Sequence, residues 1–233
     1  DDFLKQRISA LIYHYKHEIS KVGTLPIDEK RSPVTLRIYS HLTNFPSRIL
    51  QFVVINKKAV VQLDLRTSQF LVFANLLNVY IKDGEQHLLS LFNHNRNKTY
   101  LKRLINVLKQ HRTQLPQVAV DISDRYSGIT SSCDVTNFIN DVFFKDFYTV
   151  VQQELGLDDR LIAKHALFKL LFKKTNRPDE LLNKLALLYP IVINIIAEFK
   201  KTDKKKTADT EYDTHESNFS VFLQCIEAEI FVD

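Results

Sequence analysis

The chain has 233 residues, of which 45% are hydrophobic and 25% charged, so it has the composition of a globular protein with a sizeable core and not that of a disordered segment. No apolar run approaches the roughly 18–20 residues needed to span a bilayer, which predicts a cytoplasmic protein without a membrane partner. Two cysteines are too few for a disulfide framework or a zinc site, while the net charge of +5 permits a polyanionic partner without requiring one.

The N-terminal half is predicted to combine helices with a small sheet. Apolar residues at helical spacing predict a helix over 3–19. The β-branched runs ILQFVV and AVVQLDL in residues 49–64 predict two strands or a hairpin, after which the pattern becomes that of a buried helix from Phe70. A mixed basic and apolar pattern over 81–117 is helical, and the polar stretch 121–136 predicts a loop.

The C-terminal half is predicted to be helical, with helices over about 137–155, 158–174 and 178–200, a polar loop over 200–217 and a last helix from near Asn218. The expected class is therefore α+β and predominantly helical, with a small antiparallel sheet. Three parts are predicted: residues 1–133 hold the N-terminal helix and the sheet, residues 134–200 hold the next helices, and residues 201–233 hold a basic loop and the final helix.

The segment DDRLIAKHALFKLLFKK at 158–174 carries the most informative side-chain pattern. Arg160, Lys164, Phe168 and Phe172 recur every four residues, so a helix presents them along one face. Two cations can hold the phosphates of a nucleoside triphosphate, and the aromatic rings can stack against a base. The alternative is an ordinary amphipathic helix that buries its phenylalanines and leaves its basic residues in solvent.

Asp64 follows an apolar strand and precedes a predicted helix, so its carboxylate is expected at the edge of the sheet. A carboxylate held on a rigid strand is suited to binding Mg²⁺ against substrate phosphates. The alternative interpretation is a helix cap or a surface acid.

Two further segments have the composition of nucleic-acid contacts. RIYSHLTNFPSR at 37–48 offers Arg37 and Arg48 to a sugar-phosphate backbone, although alone it is a polar loop. KKTDKKK at 200–206, with Lys204 and Lys205, has the charge to bind the same backbone, although such runs are usually solvated.

In their order along the chain these segments resemble the DNA polymerase family typified by bacterial DNA polymerase I. RIYSHLTNFPSR is similar to the segment ahead of the first catalytic strand, LDLRTSQFLVFANL to motif A, and RLIAKHALFKLLF to motif B. DFYTVVQQELG resembles the segment before the fingers helix, LLYPIVINIIAEFKK the helix after it, and FLQCIEAEI the helix that reaches the minor groove of the primer-template. The likeness runs over roughly residues 37–230, with an unmatched stretch in the middle.

The resemblance implies that the small antiparallel sheet is palm-like and that the helices of 134–200 are fingers-like. It also implies a role for each matching residue. Asp64 would be the catalytic, Mg²⁺-binding carboxylate, and Arg160 and Lys164 would bind the triphosphate. Phe172 would stack on the incoming base beside Phe168, while Arg37 and Gln224 would touch the duplex.

The chain also departs from the family's pattern. Phe172-Lys173 stands where motif B usually has Tyr-Gly, and Gln69 stands where the family has the glutamate that helps select deoxyribose. The strand that supplies the second metal-binding carboxylate is not among these 233 residues, so the chain is expected to be a DNA polymerase only if further residues follow position 233.

The leading hypothesis is template-directed, Mg²⁺-dependent DNA synthesis by a compact polymerase of a phage or mobile element, with a DNA primer-template and a deoxynucleotide triphosphate as partners. The alternative is a non-catalytic nucleic-acid-binding protein that keeps a polymerase-like scaffold. A third reading is a helical interaction module whose motif matches arise by chance.

Overall fold

The computed structural model describes residues 67–122, 133–172, 179–201 and 218–232, together with four two-residue strands before them. The chain divides into two compact units, residues 1–65 with Val232 and residues 66–231 with Asp233. The helix predicted at 3–19 lies outside the described residues.

The strands of the first unit form two separate antiparallel pairs. β1 (Lys30–Arg31) pairs with β2 (Ile38–Tyr39), and β3 (Val54–Ile55) pairs with β4 (Lys58–Ala59). Each pair is two residues long and joins no third strand within the described part of the chain.

The prediction of an α+β fold with an antiparallel palm-like sheet is wrong. Of the residues that the structure describes, 79% are helical and none belongs to a sheet of that kind, so this part of the chain is helical. The hairpin predicted in 49–64 is present only as the short β3–β4 pair, and it is not part of a larger sheet among the described residues. Such a sheet could not be predicted from these β-branched runs, because β propensity depends on the strands available for pairing and packing, which local sequence does not reveal. Two paired residues are far short of the five or six in an ordinary strand.

The second unit is built from helices, which we number in chain order. Their bounds are α1 (Ser68–Ser90), α2 (Asn95–Gln110), α3 (Asp134–Phe144), α4 (Phe147–Glu154), α5 (Arg160–Phe172), α6 (Glu180–Leu188), α7 (Pro190–Lys201) and α8 (Asn218–Val232).

Helix α1 changes direction at Gly84, whose φ of 79° and ψ of −174° are not helical. Glycine adopts this backbone conformation without steric cost because it has no Cβ. At its other end the helix follows Thr67, which has a left-handed φ of 53°. That conformation is uncommon for a β-branched residue, so the chain carries local strain just before α1.

Two of the predicted helices are each divided in the structure. The segment predicted at 137–155 forms α3 and α4, because Asp146 starts a new helix by accepting a hydrogen bond from the Thr149 amide at 3.3 Å. The segment predicted at 178–200 forms α6 and α7, separated by Tyr189. Pro190 opens α7, at the helical position that proline tolerates best.

The amide groups at the start of α7 are capped from another helix. Oδ2 of Asp134, the first residue of α3, accepts hydrogen bonds from the amides of Ile191 at 2.8 Å and Val192 at 3.4 Å. A carboxylate at this end also interacts favourably with the helix dipole. The bond fixes the start of α7 against α3.

Phenylalanines from five helices fill the core of the second unit. Helix α8 contributes Phe219, whose ring centroid lies 5.1 Å from that of Phe73 in α1 and 5.2 Å from that of Phe199 in α7. Edge-to-face contacts of this kind add to the stabilisation from apolar burial. The largest fully buried aromatic side chains are Phe73, Phe138, Phe147, Phe199, Phe219 and Phe222.

Helix α8 is also fixed by Glu229, whose carboxylate accepts hydrogen bonds at the start of α2. The donors are the backbone amides of Asn93 and His94 and the side-chain amide of Asn97. A carboxylate that accepts free amides before a helix stabilises that helix.

Among the helices that the structure describes, none combines the length and the apolar character needed to cross a bilayer.

Candidate functional site

Helix α5 packs through one face against α4 and α6. Its start is capped by Asp159, whose Oδ1 accepts the Leu161 amide at 2.9 Å. The predicted helix over 158–174 is thereby confirmed, with ends two residues inside the predicted ones. The buried side chains of α5 are Ala163, Ala166, Leu167, Leu170 and Leu171.

Phe168 and Phe172 belong to the outer side of α5 and not to the core. Their side chains are 37% and 39% exposed, and their ring centroids are 5.8 Å apart with an interplanar angle of 27°. The two rings therefore form an exposed aromatic stack, the kind of surface on which nucleic-acid bases stack.

Lys164 lies one turn before this stack. Its Nζ is 5.7 Å from the centroid of the Phe168 ring, and no carboxylate of the described residues lies within 4.0 Å of it. An ammonium group over an aromatic face keeps its charge and remains available to an anion. The outer stripe of α5 therefore runs from a cationic end to an aromatic end.

Arg160, at the start of the stripe, is paired with Asp146. Its Nε lies 3.2 Å from Oδ2, and its Nη2 lies 3.1 Å from Oδ1 and 3.0 Å from Oδ2. Its Cζ also lies 4.9 Å from the centroid of the Tyr148 ring. The charge of the guanidinium is thus largely neutralised by a carboxylate at the start of α4.

The far end of α5 is held by Lys200 of α7. The ammonium group of Lys200, which is only 6% exposed, donates to the backbone carbonyl of Leu170. A cation near the last carbonyls of a helix is favourable for the helix dipole. Burial lowers the pKa of Lys200 from 10.5 to about 8. This hydrogen bond therefore holds the end of α5 that carries Phe168 and Phe172 against α7.

The other predicted site residues fall in several places. Gln224 lies half-buried on α8, on a different helix from the stripe. Asp64, Arg37, Arg48, Lys204 and Lys205 all lie outside the described residues. The structure thus brings together Arg160, Lys164, Phe168 and Phe172 and leaves the other predicted roles as predictions.

Gln69, in the second position of α1, is 8% exposed. Its Oε1 is buried and accepts no hydrogen bond from any group in the described ranges. A buried amide oxygen without a donor carries a desolvation cost, so Gln69 is not explained by core packing alone.

No three His, Cys, Asp or Glu side chains of the described ranges are grouped as a metal site. The predicted Mg²⁺ ligand, Asp64, lies outside those ranges. The carboxylate chemistry of Asp64 suits Mg²⁺, and the fit of a complete ligand set stays a prediction.

A separate surface cleft of about 700 Å³ lies between α1 and the segment 117–122. Asn78 holds that segment with its side-chain amide, which donates to the Val120 carbonyl at 2.9 Å and accepts the Val120 amide at 2.8 Å. The cleft contains none of the predicted site residues.

Sequence reasoning missed Asp146 as part of this site. It placed Lys200 in the basic run 200–206, as a contact to a phosphate backbone or a solvated residue, whereas the structure buries Lys200 against α5. Asp146 carried a local signal, since an aspartate just before a helix commonly caps it by accepting the backbone amide of the third residue after it. Its pairing with Arg160 had no such signal, because the two residues meet only when α4 packs against α5.

Comparisons of the chain with protein families, with curated proteins and with solved structures find no match. The resemblance to the polymerase family therefore rests on the motifs quoted above.

Proposed function

We propose that the outer stripe of α5 binds a deoxynucleoside triphosphate and that the chain takes part in template-directed nucleotidyl transfer. The observation that supports this most directly is the exposure of the Phe168–Phe172 stack in line with the ammonium group of Lys164. Large aromatic side chains are ordinarily buried, so an exposed stacked pair beside a cation favours a ligand with both a ring and a negative charge.

Each part of the stripe has a distinct role in the proposal. Lys164 and Arg160 bind the phosphates and stabilise the negative charge that develops during transfer. Phe172 and Phe168 stack on the base and fix its orientation. Positioning and charge stabilisation are the main contributions that a protein makes to this class of reaction.

The proposed reaction is the attack of a primer 3′-hydroxyl oxygen on the α-phosphorus. A new oxygen–phosphorus bond forms, the bond from the α-phosphorus to the bridging oxygen breaks, and pyrophosphate leaves with the electron pair. The hydroxyl proton passes to solvent. Mg²⁺, when bound, supplies positive charge at the phosphates.

The second candidate is a non-catalytic nucleic-acid-binding protein that uses the same surface in the cytoplasm. The pairing of Arg160 with Asp146 favours it, because one of the two predicted triphosphate ligands is already neutralised. A surface that combines the ammonium group of Lys164 with two stacked rings is suited to single-stranded DNA.

Primer extension with Mg²⁺ tests the first candidate in the protein that carries this chain. We expect Lys164→Ala to reduce extension by at least an order of magnitude because it removes a positive charge placed at the phosphates. We expect a loss of the same order from Asp64→Ala because it removes the proposed carboxylate ligand of Mg²⁺. Lys184→Ala is the matched control, since Lys184 is an exposed lysine of α6 paired with Glu180 at 3.0 Å. Equal extension by all four proteins would exclude the assigned roles.

Binding of single-stranded DNA separates the two candidates. Salt-dependent binding that falls in Lys164→Ala and Phe172→Ala, without extension activity under any condition, would support the second candidate. Absence of both binding and extension would reject both and leave the helical interaction module.

A further inference from the structure

We propose that Asp146 is an internal competitor of the nucleotide: its carboxylate occupies the guanidinium of Arg160, and a phosphate group must displace it to bind. This inference rests on the proposed function, because it requires a phosphate that uses Arg160. It adds a residue to the site that no motif of the sequence indicated.

The guanidinium of Arg160 already binds one anion, the carboxylate of Asp146. Both carboxylate oxygens of Asp146 lie between 3.0 and 3.2 Å from guanidinium nitrogens of Arg160. Carboxylates and phosphates use the same planar fork of N–H donors on arginine. The two anions therefore compete for these donors, and full binding of one excludes the other.

Asp146 keeps a hydrogen-bond partner when it loses the guanidinium. Its Oδ1 accepts the Thr149 amide at 3.3 Å, as the cap of α4. That end of the helix also carries a partial positive charge, which stabilises the released carboxylate. Both anion arrangements are thus satisfied, and the exchange requires no unfolding of α4.

Tyr148 provides a fixed support for Arg160. Tyr148 is only 8% exposed, and the centroid of its ring lies 4.9 Å from the guanidinium carbon. An aromatic face attracts a guanidinium whatever anion the fork holds. We therefore expect the side chain of Arg160 to stay in place while its anionic partner changes.

The pair is exposed enough to be displaced. The side chains of Arg160 and Asp146 are 43% and 30% exposed, so water screens their attraction. Competition from such a pair reduces the apparent affinity for a phosphate by about two- to fivefold. A triphosphate carries enough charge to overcome it, so the pair selects against weakly charged ligands.

The test measures the affinity of inorganic triphosphate, which has no base and so reports on the cations alone. Asp146→Asn is the main variant, because asparagine caps a helix as well as aspartate does. We expect it to bind about two- to fivefold more tightly than the wild type. Asp146→Ser, a second uncharged cap, should show the same gain.

Two further proteins make the result specific. In an Arg160→Ala background, Asp146→Asn should not raise the affinity for triphosphate, because there is no guanidinium for which the two anions could compete. Asp179→Asn is the matched control: it removes the same charge from another helix cap, one that contacts Lys169 of α5 at 3.4 Å. We expect it to leave the affinity unchanged.

A gain that persists in the Arg160→Ala background, or equal or weaker binding by Asp146→Asn and Asp146→Ser, would overturn the inference. If Lys164→Ala still weakens binding in that case, the proposed function stands without the competitor. If neither Lys164→Ala nor Arg160→Ala changes the affinity for triphosphate, the proposed function itself fails.

Discussion

The hydroxyl group of Tyr189 donates a hydrogen bond of 2.6 Å to Oδ2 of Asp141 in the interior of the helical unit. Lys145 lies 2.8 Å from the other oxygen of the same carboxylate. Burial and the adjacent carboxylate raise the pKa of Tyr189 well above its ordinary value of 10.0. The bond joins α3 to the turn between α6 and α7.

Tyr189→Phe is expected to lower the free energy of unfolding by about 1–2 kcal/mol, because it leaves a buried carboxylate oxygen without its donor. Urea denaturation at pH 7 measures this. Tyr80→Phe is the control, since the Tyr80 hydroxyl bonds to no group of the described chain, and it should change stability little. A loss of equal size in both variants would contradict the assigned bond.

The same tyrosine predicts a loss of stability in alkali. Because its pKa is raised in the folded state, its contribution is complete below pH 10.0 and declines as pH rises above that value. Tyr189→Phe should therefore lose less stability than the wild type above pH 10. Parallel pH profiles would count against the cause given for the shift.

The lowered pKa of Lys200 predicts that stability rises with pH, over a lower pH range than the one in which Tyr189 makes it fall. Its folded-state pKa is about 8 and its ordinary value is 10.5, so the unfolded state binds more protons between them and stability rises with pH there. Between pH 8 and pH 10.5, the free energy of unfolding of the wild type should rise by up to about 3 kcal/mol relative to that of Lys200→Met. If the difference in unfolding free energy between the two proteins does not vary with pH, burial does not lower the pKa of Lys200 as stated.

Asp179 caps α6 by accepting the amides of Leu181 at 3.1 Å and Leu182 at 3.4 Å. Burial acts to raise its pKa, but these amides and Lys169 together lower it below 3.8. Asp179→Ala should cost about 1 kcal/mol at neutral pH, and Asp179→Asn much less.

The cost of Asp179→Ala should also depend on pH. Because the folded-state pKa is lowered, the contribution of Asp179 is present above pH 3.8 and is lost as pH falls below it. Thermal unfolding of both variants at pH 7 and pH 3 measures this. A cost that is as large at the lower pH would contradict a charged cap.

Gln69→Leu is expected to leave the free energy of unfolding unchanged or to raise it slightly. The buried Oε1 of Gln69 has no donor in the described chain, and an apolar side chain of similar shape removes its desolvation cost. If the variant also loses primer extension, Gln69 is retained for function. A loss of stability above about 1 kcal/mol would instead indicate a structural partner.

Phe172→Ala and Phe199→Ala should separate binding from stability. Phe199 is fully buried, and its loss should cost about 3–5 kcal/mol. Phe172 is 39% exposed, so its loss should cost much less while weakening the binding of single-stranded DNA by about 1–3 kcal/mol. Unchanged DNA binding by a folded Phe172→Ala protein would remove the stack from the proposed site.

Local signals predicted most of the helical unit. Asp159 and the apolar spacing of α5 set its bounds to within two residues, and α8 begins at Asn218 as expected. The breaks at Asp146 and Pro190 also have local signals, but continuous apolar patterns across them masked those signals.

The contacts between helices could not be predicted from local sequence signals. The side of α5 that faces solvent was ambiguous, because apolar residues occur on both of its faces, and only packing against α4 and α6 decided it. The pair of Arg160 with Asp146 joins residues 14 positions apart on different helices. The expected sheet failed for a related reason, since a valine-rich run does not specify its partner.

Helix α8 has a consequence for the order in which the protein acquires its core during synthesis. Phe219 and Phe222 complete a cluster that includes Phe73, which is translated long before them, and Phe199. The carboxylate that caps α2 is likewise translated more than 130 residues after the amides whose hydrogen bonds it accepts. A nascent chain that has not yet passed residue 217 leaves Phe73 and Phe199 without these neighbours. Such a chain exposes aromatic surface and is the form in which we expect chaperone binding or aggregation.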